Sequence, residues 1–221
     1  MKRFYLMLGV LTLALGAMLV YLLNANPAAP RAANQAPANV VDDGFRGYTM
    51  GSDSAPVEVT EYGDFECPAC AGFAVIQMPT IKEQLIATGK VRWRYRDYPL
   101  PMHPYSRLAA HAAQCAGEQG KFWEMHDQLF QNHSWAQTGK NPSGLFRDMA
   151  RAAVLDIDKW DACMDSGRYA GRIEFSRHEG EEKLVNGTPT FYINGKMYTG
   201  RNNSDSFKAA IDSAAAAVRR K

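Results

Sequence analysis

The sequence predicts an α/β fold in which a small β-rich frame is split by a large helical insertion, and three observations predict it. A β-branched run, Val57 to Tyr62, feeds two cysteines three residues apart at the start of a helical pattern, Cys67-Pro68-Ala69-Cys70. From Tyr105 to Asn186 the apolar residues recur at helical spacing and no convincing strand appears. Beyond that stretch, Asn194-Gly195 separates two short alternating runs, a strong hairpin signal, and an amphipathic helix closes the chain. One folded domain over 44–221, with its helical insertion at about 105–184, accounts for this order.

The front of the chain is different in kind. Lys2 and Arg3 precede Tyr5 to Leu23, nineteen residues without a charge. At about 1.5 Å per residue such a run spans close to the ~30 Å hydrocarbon layer, so residues 1–23 are expected to form a signal anchor with its N-terminus in the cytoplasm. A cleaved signal peptide, cut near Ala28 or Ala29, is the competing reading. Both export the rest of the chain to an oxidising compartment, where cysteines pair. The Asn-, Pro- and Ala-rich residues 24–43 read as a flexible tether, and a monomer is expected. A net charge of +2 is too small to argue for nucleic acid.

Within the domain, residues i and i+3 meet on one helix face, so Cys67 and Cys70 can close a small disulfide and reopen it. Cys67 falls in the first turn, where unpaired N–H groups and the helix dipole favour a thiolate, and Pro68 suits the first helical position. The same four residues form half of many zinc sites, but a second pair or histidines at ligand spacing is missing from the sequence. Glu61 shares strand parity with Val57 and Val59. A solvated carboxylate is one reading; a buried carboxyl of raised pKa that takes the proton from Cys70 is the other.

Ala69 to Thr88 predicts a long helix kinked at Pro79, and Val91, Trp93 and Tyr95 alternating with Arg92, Arg94 and Arg96 predict a strand with a solvated basic face. Asp97 to Pro104 must be a loop, with His103 on the surface and partnerless. Five helices follow, over 105–118, 121–132, 143–153, 158–166 and 168–184. Cys115 and Cys163 each point into an apolar layer. Two buried thiols would be the bland account, yet an even leftover pair in an exported chain bridges more often, so a structural Cys115–Cys163 disulfide is expected. The stripe from Phe122 to Phe130 reads as core. Pro189 stands at the mouth of the hairpin, and the residues leave open whether the Thr188-Pro189 bond is cis.

Strand, C-P-x-C at a helix start, helical insert, then Gly187-Thr188-Pro189-Thr190 leading into a hairpin and last helix together resemble the DsbA-like thioredoxin family, over roughly Tyr48 to Val218. The resemblance implies a thioredoxin fold and an exported thiol:disulfide oxidoreductase. It implies Cys67 as exposed nucleophile, Cys70 as buried resolving thiol, Pro189 as a cis-proline facing the dithiol with Thr188 pairing to substrate backbone, and Glu61 as the acid beneath the site. It also implies reduced or misoxidised exported proteins as substrates and a quinone-linked membrane reoxidase as partner; no flavin, nucleotide or metal motif appears in the sequence, so the cysteine pair itself is the expected redox carrier. The extra pair, Cys115 and Cys163, resembles the second disulfide of some membrane-tethered members. Pro-Ala between the cysteines, where the strongly oxidising enterobacterial type has Pro-His, removes one stabiliser of the thiolate and implies a weaker oxidant. The alternatives are a reductase or isomerase using the same residues, and an exported copper-binding module with Cys67 and Cys70 as soft ligands.

Overall fold

The computed structural model describes residues 12, 14–18 and 39–220. Most of the expected anchor at 1–23 and most of the tether lie outside them, and among the described residues no helix is long and apolar enough to cross a membrane. The end of the tether is not loose. Val41 N–H donates to Gly171 O at 3.2 Å, and Asp43 pairs with Arg172 at 2.5 Å, so the chain is strapped to the insertion before residue 44.

Five strands form one sheet in the order β1-β3-β2-β4-β5, with β1 Tyr48–Met50, β2 Val57–Gly63, β3 Val91–Asp97, β4 Thr190–Ile193 and β5 Lys196–Met197. β2 is central, parallel to β3 and antiparallel to β4. Its alternation places Val57 and Val59 in a core with Trp93, Phe191 and Phe207, and puts Glu61 further along the same face. The β4–β5 turn fits its sequence, since Asn194 (φ 47°) and Gly195 (φ 77°) both take the left-handed conformations that Asn-Gly tolerates. β1 was not expected from the sequence. Three half-buried residues carry no readable period, and pairing with β3 holds them.

After β2, α1 spans Pro68–Gly72 and α2 Met78–Ile81, and the ladder widens into π segments at Phe73–Gln77 and Lys82–Ile86. The irregularity expected at Pro79 therefore takes the form of wider turns on either side of a proline that cannot donate. The insertion holds α3 Ser106–Gly117, α4 Phe122–Gln131, a 3₁₀ turn His133–Gln137, α5 Ser143–Ala152, α6 Ile157–Ser166 and α7 Ala170–Glu182. Asp156 caps α6 by accepting from Lys159 N–H, and Gly167 ends it at φ 60°. The closing α8, Ser204–Val218, is capped by Asn203.

The basic row on β3 differs from its expectation. Arg94 is clamped by Glu58 through two bonds, 3.1 and 2.7 Å, and the Arg96 side chain is 2% exposed, pairing with Glu179 and donating to Phe45 O. The strap and α7 close over Arg96, while Arg94 and Arg92 stay part-exposed and ion-paired, so only the end of the row becomes interior. The expected Cys115–Cys163 pair is bonded, with S–S 2.02 Å and Cα–Cα 5.7 Å, joining α3 to α6.

Candidate active site

The dithiol sits where the two layers meet. Cys67 and Cys70 pack in one apolar cluster with Phe65, Leu108, Met125 and Phe130, so side chains of the insertion wall the site. Cys67 is the residue before α1, with extended backbone (φ −74°, ψ 122°), and its N–H donates to Asp64 O at 3.1 Å. Its sulfur lies 3.4 Å from Thr188 O. The Thr188-Pro189 bond is cis. Contrary to the expected exposed nucleophile, Cys67 is only 6% exposed, because the Thr188 carbonyl lies over the sulfur while Pro68 and Ala69 form the open tip.

The two thiols are driven apart in acidity. The Cys70 thiol donating to the Cys67 sulfur is the largest cause that lowers Cys67 to about 5 against its burial, and the Thr188 side chain and the N–H groups of Cys70 and Ala69 add to it. Thr188 Oγ1 is buried with no partner at bonding distance among the described residues, a donor left over for that thiolate. Burial first, then the bond to Cys67, pushes Cys70 far up. Glu61 is 2% exposed; burial raises it to about 7 although Trp93 Nε1–H donates to its Oε2 at 3.0 Å. Its charge acts on Cys70, and above pH 7 it is free to accept a proton.

A carboxyl whose folded pKa lies above its unfolded value stabilises below the unfolded value and loses that stability as pH rises through the folded one. Glu61 thus weakens the fold as pH rises from 4.5 to about 7, and Asp97, raised by burial to about 6, does so from 3.8 upward. Glu61→Gln should flatten this decline: the variant's melting temperature should gain on the parent's between pH 4.5 and 7.5, and parallel curves would contradict a buried, proton-holding Glu61.

Several site residues escaped the sequence reading. Asp64, 1% exposed, accepts from Glu66 N–H (2.8 Å), Leu100 N–H (2.8 Å) and Ser106 Oγ–H (2.7 Å), and pairs with His103 Nδ1 at 2.7 Å. His103 is therefore no free surface residue; its side chain is 16% exposed. Glu66 accepts from Tyr105 N–H at 2.7 Å, and His133 Nε2–H donates to Phe65 O at 3.1 Å. An aspartate two residues ahead of the N–H it binds is an Asx-turn signal that was legible at Asp64. Its long-range partners were not.

As to metals, His111, Cys115 and Cys163 bring one nitrogen and two sulfurs within 4.8 Å, but both sulfurs are joined to each other. Among the described residues Cys67 and Cys70 gather no third donor of histidine, cysteine or carboxylate type at ligand spacing.

A cysteine pair at a helix start, opposite a cis-proline and above a buried acid, defines a thioredoxin-type dithiol protein. The Thioredoxin family profile matches residues 46–213. Probable disulfide bond formation protein D of Bacillus cereus is 30% identical over 172 residues, covering 74% of this chain and 76% of that protein. Na(+)/H(+) antiporter NhaA 3 of Salinispora tropica is 37% identical over 224 residues, covering 96% of this chain, which spans about a third (33%) of that protein's length. The crystal structure of oxidised BdbD from Bacillus subtilis superposes with a TM-score of 0.70 at 26% identity, over 77% of this chain and 93% of that one. The chain belongs to the DsbA-like thioredoxin family.

Proposed function

We propose that this chain is an extracytoplasmic thiol:disulfide oxidoreductase that works as an oxidase, passing the Cys67–Cys70 disulfide to reduced exported proteins. The split between a Cys67 held near 5 and a Cys70 held far above its ordinary value carries the reading. A substrate thiolate attacks Cys67 Sγ, the S–S bond breaks, and Cys70 leaves and is protonated. A second substrate thiolate then attacks the substrate sulfur of the mixed disulfide, releasing Cys67 as thiolate. The substrate loses two electrons and the enzyme gains them. At pH 7, two pH units above its pKa, the Cys67 thiolate favours the reduced enzyme by about 3 kcal/mol, or about 60 mV toward the oxidant.

Thr188 and Pro189 line the approach to Cys67, Glu61 manages the Cys70 proton, and the Cys115–Cys163 disulfide staples the insertion. A quinone-linked membrane partner restores the disulfide, and residues 1–23 anchor the chain in the membrane with the domain on its outer side; the uncharged run of the sequence supports this part. Cys70→Ser should trap substrates on Cys67 as mixed disulfides released by dithiothreitol, and no trapped species in cells would sink the proposal. Stoichiometric copper or zinc on Cys67 after purification without chelator would favour the metal-binding reading instead.

A further inference from the structure

Beside the dithiol, a groove of about 280 Å³ runs between Pro68, the Met102–Tyr105 segment and the 3₁₀ turn around His133. Among the described residues lining it, neither lysine nor arginine occurs. The titratable groups facing His103 are Asp64 and Glu66 from the loop before α1, Cys67 at the start of α1, and His133 across the groove, with Tyr105 and Ser106 from the start of α3. Burial keeps His133 on the neutral side of its ordinary value. Of the two lining histidines, His103 is thus the one held toward its protonated form.

We propose that His103 is a positioning residue for the exchange reaction, an imidazole fixed by Asp64 that holds its proton more tightly when the disulfide is reduced and, once protonated, favours the Cys67 thiolate. The proposal rests on the oxidoreductase reading for its use, though not for its test. Three observations on the page meet here. The Pro68-Ala69 dipeptide offers no donor side chain. The same Asp64 that holds the His103 ring at 2.7 Å also receives the Cys67 N–H on its backbone carbonyl at 3.1 Å, so ring and sulfur are set from one residue. And the Asp64 carboxylate is buried, with the His103 ring the one partner of its network that can carry a charge, beside the neutral donors Glu66 N–H, Leu100 N–H and Ser106 Oγ–H.

The hydrogen bond to Asp64 is the chief cause raising the His103 pKa, and the Cys67 thiolate adds to it. That last contribution is absent from the disulfide. Coupling is reciprocal, so a histidine that stabilises the thiolate must bind its proton more tightly in the reduced enzyme. Reduction at pH 7 then breaks the S–S bond, takes two electrons, places one proton on Cys70, and adds a further fraction of a proton on His103.

The test needs no substrate. In His103→Gln the ionisation constant of Cys67, followed by thiolate absorbance near 240 nm, should fall about tenfold, since an attractive charge is lost and the Asp64 carboxylate is left unopposed. His103→Lys should restore it, and proton uptake on reduction should drop to one per disulfide in both variants. Cys67 titrations unchanged in His103→Gln, or failure of His103→Lys to recover any of the loss, would overturn the proposal. If either variant misfolds, the His103 ring resonance of the parent decides: its pKa should be higher in the reduced than in the oxidised protein, and equal values refute the coupling. A parent that shows this coupling yet never exchanges with peptide thiols would sink the proposed function and leave the His103 inference standing.

Discussion

Replacing Cys67 with serine should abolish disulfide exchange, a loss of more than about a thousandfold in the oxidation of a reduced peptide. Serine at 67 cannot form the enzyme disulfide at all, and its hydroxyl stays protonated in a setting that ionises a thiol at about 5. Cys70 cannot take over. It is fully buried, and burial, the largest cause of its raised pKa, still holds it as a thiol. The measurement is single-turnover oxidation of a dithiol peptide at pH 7; activity within tenfold of the parent would place the reacting sulfur elsewhere.

The second large effect is on stability. Cys115→Ala with Cys163→Ala should lower the unfolding free energy by about 4 kcal/mol, because the bond closes a loop with a sequence separation of 48 that the unfolded chain must otherwise leave open. The urea midpoint should fall accordingly while the Cys67 titration stays near that of the parent. This separates the staple from the reacting pair: with Cys67 and Cys70 already reduced in both proteins, breaking the Cys115–Cys163 bond should shift the parent's midpoint toward the variant's and leave the variant's where it is. A midpoint insensitive to the double substitution would mean that packing of α3 on α6, with Trp160 Nε1–H donating to Ala112 O at 3.1 Å, suffices alone.

The fold was legible wherever the local signal and the tertiary role coincide. β2, the Cys67 helix start, the five insertion helices and the Asn194-Gly195 turn each carry their own period, cap or turn residue, and packing asked nothing further of them. What stayed hidden depends on partners far along the chain. β1 exists because β3 pairs with it, and Arg96 is interior because Glu179 on α7 and the strap at Phe45 close over it. His103 read as a loop residue among prolines; its meaning comes from Asp64, 39 positions away. At the site, the dithiol, Glu61 and Thr188-Pro189 are motif residues. The carboxylate network that holds them is not.

The enclosure of Cys67 has an outcome for which clients can be served. A sulfur 6% exposed, roofed by the Thr188 carbonyl and walled by the helical layer, is out of reach of a thiol set in the convex surface of a finished globule. A slack segment can thread its cysteine side chain in beside Pro68. Under the proposed function, timing would thereby be built into shape: unfolded chains would be served and folded ones passed over.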